Sequence, residues 1–541
     1  QVRHLDWFEL YQGAPVASIL KSLSSRHPLL ERRNFNMQCT LLLRASLLVL
    51  PVLAAAQRHP AHYSHYKFVD LGTLGGPLSY GEVNGDSFRL LNNSGVVASY
   101  ADLSAADPNQ AYFCYADCFQ AHAFEWKNGT MTDLGALPVN NNSAAGSINA
   151  RGWATGQSQS DVIDPVLGFP EFHGVLWKGG RIIDLGTLPG GTESLGIYVN
   201  DAGQVVGFST ISTTTPDPAG FIGFPTHTFI WENGAKTDIG TLGGDDTFPG
   251  ADCGIAPEGV VIGGSTTSND IDPVSGLPNT DPFVWRRGMM KDLGSLGGTN
   301  GFATCINGNG QIIGQSSLAT NPRACGFPVA GAGPGCHAFL WNRGTMDDLG
   351  TLGGDNSEAI WLNERGDIAG SADLPGLNLH DAVLWHNDKI LDLGTVDGDA
   401  CSRGRSVNAR GQVVGGSSDC RNFLHAFVWQ DSGPMMDLNA LIQPGTGYQL
   451  TNAININDRG EILAKAAPLG FTPNDDADLG HLALLIPCDE NHPGLDCDSA
   501  ANPGVAPSRF NARSSPAIRN SENLDRPAFR GVPPMLQRKH R

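Results

Sequence analysis

His337-Ala338-Phe339-Leu340-Trp341, then Gly344-Thr345-Met346-Asp347-Asp348-Leu349-Gly350-Thr351-Leu352-Gly353-Gly354, then Leu362-Asn363-Glu364-Arg365-Gly366-Asp367-Ile368-Ala369-Gly370-Ser371, is the stretch that decides the fold. Variants of it recur eight times. The Asp-(Leu/Ile) step stands at Asp70, Asp133, Asp184, Asp238, Asp292, Asp348, Asp392 and Asp437, a spacing of 44 to 63 residues. A period in this range, punctuated by Gly at turns, marks a repeat array such as a propeller or solenoid.

Each repeat divides into four strand-like pieces of four to eight residues, rich in Val, Ile, Phe and Trp and bounded by Gly, Asn and Asp. That is strand grammar rather than helix grammar. Asn200-Asp201-Ala202-Gly203, Asn408-Ala409-Arg410-Gly411 and Trp126-Lys127-Asn128-Gly129 read as hairpin turns. An isolated four-stranded sheet of this length has too little core to stand alone, which disfavours a string of independent modules. The ends of the array choose between ring and solenoid. The first copy begins at the fourth strand, Tyr66–Gly72, and the last stops at the third, His481–Ile486. Two fragments that add to one blade suit a closed ring, which leaves no unpaired edge. The expectation is an all-β protein: a β-propeller of about eight four-stranded blades over residues 62–487, closed by its N- and C-terminal strands.

The ordered string His-Ala-Phe-x-Trp, Asp-Leu-Gly-Thr-Leu-Gly-Gly and Ile-Asn-x-x-Gly-x-Val-Val-Gly resembles the bacterial extracellular HAF-repeat family over about 420 residues. The pattern departs at Asp281-Pro282-Phe283, His227-Thr228-Phe229 and His173-Gly174-Val175, and the final copy lacks the Trp. The resemblance implies a secreted, propeller-like protein and supplies no catalytic residues.

Composition fits export and narrows the partners. Residues 37–56 have the grammar of a signal peptide: Met37 to Arg44, an apolar core Ala45–Leu53, and Ala54-Ala55-Ala56 before Gln57. Residues 1–36 share no pattern with the rest and read as an upstream extension. A net charge of −19 argues against nucleic acid or an anionic membrane as partner. No run of 18 apolar residues is present, so no spanning helix is expected, and the chain is read as a monomer. Residues 488–541 are expected to be a small disulfide loop followed by a disordered basic tail.

Ten cysteines follow the signal, and an even number in an exported chain favours disulfides. Cys401 and Cys420 sit at matching positions on the arms of one hairpin. Cys325–Cys336, Cys488–Cys497 and Cys114–Cys118 would close local loops, and Cys253–Cys305, at near-equivalent places in adjacent repeats, is left as the last pair.

The repeated residues read as structural. His122, His337 and His425, with counterparts at 173, 227, 380 and 481, are expected to anchor each blade through a backbone carbonyl or an Asp. Asp133, Asp184, Asp348 and their equivalents are expected to be buried carboxylates accepting N–H bonds around a Gly turn. Trp126, Trp341, Trp429 and the other strand-three tryptophans are expected to pack between blades. Three acidic loops, with Asp245, Asp246, Asp355, Asp397 and Asp399, have the hard oxygen donors that suit Ca²⁺, and Asp is equally favoured in turns for its own hydrogen bonds. No other cofactor is indicated.

No nucleophile elbow, zinc-protease motif or phosphate loop is present. The leading expectation is therefore a secreted, non-catalytic scaffold binding an extracellular protein, glycan or cell-surface polymer. The alternatives are an extracellular propeller-type hydrolase or lyase acting on polysaccharide, for which Glu171, Glu193 and Glu358 are available, and a structural envelope component. Insertions accumulate between strands two and three: Asp102–Ala121, Gln159–Phe172, Thr210–Thr226, Thr266–Thr280 and Ser317–Cys336, against the short Ala372–Leu379 and Ser418–Leu424. In a meandering blade these share one face, where Tyr112, Phe113, Tyr115, Phe119, Phe169, Phe172, Phe221 and Phe224 are expected to form a contact patch.

Overall fold

The structure, a computed structural model, describes residues 64–493 apart from 82–88, 108–117, 139–140, 218, 251–252, 273–277, 322–324, 326–328, 331–334, 377–378 and 472–479, together with a two-residue strand at Ala528–Phe529. The expected extension 1–36, the signal peptide 37–56 and nearly all of the tail lie outside the described residues. No helix among the described residues is long and apolar enough to cross a membrane, which says nothing of β-barrels.

Eight antiparallel four-stranded sheets form an eight-bladed propeller. Blades 1 to 7 span 75–133, 143–186, 194–238, 247–292, 297–348, 357–392 and 401–437. Blade 8 takes three strands from 448–487 and its fourth from Tyr66–Asp70. Fully buried first strands such as Ser194–Val199 line the inside, and exposed fourth strands such as Thr130–Asp133 form the rim. The expected closure is present in register: Tyr66 pairs with Pro487 and Asp70 with Ala483. Ser79 of blade 1 then receives the Leu482 N–H on its hydroxyl and the Lys465 ammonium on its carbonyl.

Local sequence explains the blade. The second Gly of Gly-x-Val-Val-Gly sits where the first strand bulges; a Cβ on Gly207 would run into the Leu195 carbonyl, and one on Gly415 into that of Arg403. Trp126, Trp177, Trp231, Trp285, Trp385 and Trp429 are buried, as expected, while Trp341 is half-buried.

The Asn of the Asn-x-x-Gly turn has a larger role than the turn itself. The Oδ1 of Asn149 accepts the N–H groups of Arg151 and Trp153 in its own hairpin, while its Nδ2 donates to the Asn200 carbonyl of the next blade at 2.9 Å. The same hand-off runs from Asn92 to Asn149, Asn200 to Ala256, Asn307 to Asn363, Asn363 to Asn408, Asn408 to Asn457, and Asn457 back to Asn92, all at 2.9–3.1 Å. These bonds form a belt around the ring, interrupted between blades 4 and 5, where Ala256 stands in place of Asn. There the Cys253–Cys305 disulfide joins the two blades.

Cys325–Cys336 and Cys401–Cys420 are bonded as expected. Cys118 and Cys488 are also disulfide-bonded, and their expected partners Cys114 and Cys497 lie outside the described residues.

Candidate functional site: the insertion-bearing face

The repeated His and Asp form a clamp between strands three and four, eleven residues apart. His122 meets Asp133, His173 meets Asp184, His227 meets Asp238 and His337 meets Asp348, at 2.8–3.0 Å. In blade 8 the clamp joins the chain ends, His481 to Asp70 at 2.9 Å. Each of these carboxylates also accepts the N–H of the Gly two residues on, as Asp348 does from Gly350. Burial raises the carboxyl pKa of Asp348, but the His337 hydrogen bond and charge and the Gly350 N–H outweigh it and hold it below its ordinary value.

Three expectations about these residues are corrected. The clamp carboxylates are not buried: the side chains of Asp133, Asp184 and Asp348 are 41, 44 and 39% exposed, because the fourth strand is the rim. In blade 6 the residue at the clamp position is Asp381, not His380, and it hydrogen-bonds Asp392; in blade 4 it is Asp281 beside Asp292. His425 turns away from Asp437 to Asp399 at 2.9 Å, although Phe427 pairs with Asp437 as Phe339 does with Asp348, and Asp437 accepts the Asn439 N–H instead.

The clamps open onto the face that carries the insertions. In blades 1, 2 and 4 strands two and three run past the blade as a projecting hairpin. Each is shifted by a bulge and ends in the pairs Ala106–Phe119, Ile163–Pro170 and Ile271–Pro278. The blade 3 insertion folds back instead: Phe221 stands edge-on to Phe208 at 4.9 Å, and its N–H bonds the Thr226 hydroxyl. Phe172, Phe221 and Phe224 are therefore buried, and Phe119 and Phe169 half-buried, which corrects the expected aromatic contact patch. Tyr112, Phe113 and Tyr115 lie outside the described residues. Among the described residues, the large apolar side chains at least half exposed on this face are aliphatic: Val162, Ile163, Val166, Ile271 and Leu469. On the opposite face the described counterpart is Met289.

Among the Ca²⁺ candidates, Asp399 is taken by His425, and Asp246 is buried with Oδ1 accepting the Thr226 N–H. Burial, then the neighbouring Asp217, pushes the Asp246 carboxyl up to about 8. Asp245, Asp355 and Asp397 are exposed, and among the described residues no group of three or more metal-ligating side chains converges. Glu193 is buried and accepts the Phe172 N–H, the same pin that Asn142 and Asn356 make to Ala121 and Cys336. Burial raises its carboxyl well above the ordinary range.

A set of charges of which the sequence singled out Glu358 but not its partner Arg403 sits toward the same face on the inner strands. Arg403 of blade 7 donates to Glu358 of blade 6 at 2.6 Å, and both side chains are 18% exposed. The neighbouring His380 has its pKa lowered by burial and by the Arg403 charge, against the pull of Asp373 and Glu358. The corresponding inner-strand positions in blades 2 to 5 are Ala144, Leu195, Phe248 and Phe302. Non-repetition was the available signal, but the pairing appears only once blades 6 and 7 are known to be neighbours. This arrangement offers polar recognition beside low walls, since the insertions of blades 6 and 7 are the short ones.

No protein-family model matches the chain, and no curated protein matches it in sequence. Among solved structures it is similar to Pyrococcus horikoshii acylaminoacyl peptidase (11% identity, TM-score 0.37, covering 73% of this chain and 59% of that one). It is also similar to the β-propeller domain of the Trilobed protease from Pyrococcus furiosus (10% identity, TM-score 0.37, 70% of this chain and 100% of that one). A third is Porphyromonas gingivalis dipeptidyl peptidase 4 (8% identity, TM-score 0.40, 72% and 59%). The chain thus spans about three fifths of the two whole peptidases. Likenesses this distant carry no argument about activity.

Proposed function

We propose that this protein is a secreted binding scaffold of the HAF-repeat type, which holds an extracellular protein or glycan on its insertion-bearing face. The observation that carries the reading is the sidedness of the surface. Connections of nearly constant length form the belt side, and the projecting hairpins with their exposed aliphatic side chains rise on the other. Variable loops on a rigid frame are where such folds place recognition. The disulfide within the insertion of blade 5, and the one that ties the insertion of blade 7 to that blade's first strand, fit an oxidising compartment.

The test begins with a glycan and protein array probed with the full chain. Ligands found there are then offered to a variant in which the projecting hairpin tips 161–168 and 268–277, which carry Val162, Ile163, Val166 and Ile271, are each replaced by a two-residue turn. Folding should survive and binding should be lost. Affinity that survives both deletions would place recognition elsewhere on the ring.

A further inference from the structure

The two faces of the ring differ in charge as well as in shape. Among the described residues, the connections of the insertion-bearing face carry 16 carboxylates and one basic residue, Arg421. Several are exposed, including Asp161, Asp245, Asp270, Asp355 and Asp397. The turns of the opposite face carry 11 Lys and Arg against nine carboxylates, with Arg151, Lys178, Arg287 and Arg410 exposed. Asp102, Asp107, Asp164, Glu193 and Asp246 of the insertion-bearing set are buried, and the remaining carboxylates still leave this face the more acidic of the two, a field that selects cationic partners.

The chain contains such a partner. Residues 500–541 hold eight Lys and Arg and two carboxylates, interspersed with apolar residues such as Phe510, Ile518 and Leu524. The last propeller strand, His481–Pro487, runs from the insertion-bearing face and delivers the chain to the opposite face, where acidic and basic groups are nearly balanced. The roughly 35 residues between 493 and 528 reach on the order of 115 Å at about 3.3 Å each, ample to pass around the rim. One contact on the far side is in place: Ala528–Phe529 pairs antiparallel with Val329–Ala330, within the insertion of blade 5.

We propose that the basic segment 500–541 is the resident occupant of the insertion-bearing face, held by charge, and that an external ligand binds by displacing it. The displacement rests on reading this face as the recognition surface; the docking itself does not.

Trypsin reads the docking directly on the full chain, because Arg509, Arg513 and Arg519 are its cleavage sites. The Debye length is about 30 Å at 0.01 M salt and about 3 Å at 1 M. At the lower salt, cleavage after these arginines should be about tenfold slower than in a free peptide of residues 500–541, because it then follows the undocked population. The protection should vanish at the higher salt. It should vanish at low salt in a variant carrying Asp161→Asn, Asp270→Asn, Asp355→Asn and Asp397→Asn. Cleavage at the free-peptide rate in low salt overturns the proposal. So does protection that ignores both salt and the four substitutions. If the tail is cut freely while the face captures polylysine, the occupant is an external cation and the proposal fails, with the recognition reading intact. Failure of the loop-shortening experiment with a protected tail would instead remove that reading and leave the docking standing.

Discussion

Cys253 is bonded to Cys305 at the blade junction where the asparagine belt is interrupted, and Cys305 is fully buried beside it. Ala256 offers its carbonyl to Asn200 but has no amide to pass to Asn307. The disulfide and the backbone pair it sits in, with Ile306 N–H donating to the Cys253 carbonyl at 3.1 Å, replace that link. Removing it as Cys253→Ala/Cys305→Ala should cost about 2–4 kcal/mol. Adding Ala256→Asn to that double variant should restore part of the loss, and should do little in the native protein. Thermal unfolding of the four proteins measures this, and equal effects of Ala256→Asn in both backgrounds would separate belt from bond.

The belt can be tested apart from the turn it starts from. Asn149→Asp keeps an oxygen for the Arg151 and Trp153 N–H groups but removes the donor to Asn200. Asn149→Ala removes all three bonds. The Asp variant should lose about 1–2 kcal/mol and the Ala variant about 2–4 kcal/mol. Amide exchange at the hairpin should accelerate in the Ala variant alone.

Ring closure rests on a strand that folds far from where it begins. Deleting residues 62–75 removes the register from Tyr66–Pro487 to Asp70–Ala483 and the Asp70–His481 clamp. The bared edge of blade 8 should aggregate or lower the melting temperature strongly. A deleted protein that remains monomeric with unchanged melting would mean the ring is held without it.

Blades 4 and 6 should respond to pH through their paired carboxyls. Burial, then the facing aspartate, pushes Asp281 and Asp381 up to about 6, above their ordinary 3.8. A carboxyl with a raised folded pKa binds its proton more tightly when folded. Its contribution is full below about pH 4 and is lost as pH rises through 6. Asp281→Asn and Asp381→Asn should therefore gain stability at pH 7 relative to pH 4, on the order of 1 kcal/mol each after solvent screening. Parallel pH–stability curves for native and variant proteins would contradict this.

The parts of this fold legible in the sequence are those written by local chemistry. The period, the Gly-marked turns, the complementary end fragments and the Cys401–Cys420 hairpin all follow from residues near one another. Of the features that depend on a neighbouring blade, the Cys253–Cys305 pair was legible from its near-equivalent places in adjacent repeats, but the side-chain contacts were not. Asn149 could be seen as a turn residue, but its amide meets Asn200 only in the ring. His380 and Asp381 both head a strand, and only the pairing of Val383 with Asp392 shows which of them faces the clamp. Phe172 and Phe221 fall within inserted segments and were expected on the surface. They are buried because the insertions bring enough apolar area to build onto the core, which leaves the aliphatic Val162, Ile163 and Ile271 outside.

Two of the bonds that complete the ring, Asp70 to His481 and Asn457 to Asn92, join residues 411 and 365 positions apart. During synthesis the first strand has no partner until the last blade has arrived. A chain cut short anywhere before residue 481 keeps that strand, and the facing edge of its last blade, available to proteases and chaperones. Closure of the ring thus makes burial of the first strand conditional on the last blade: in this register Tyr66–Asp70 is covered only when His481–Pro487 is in place.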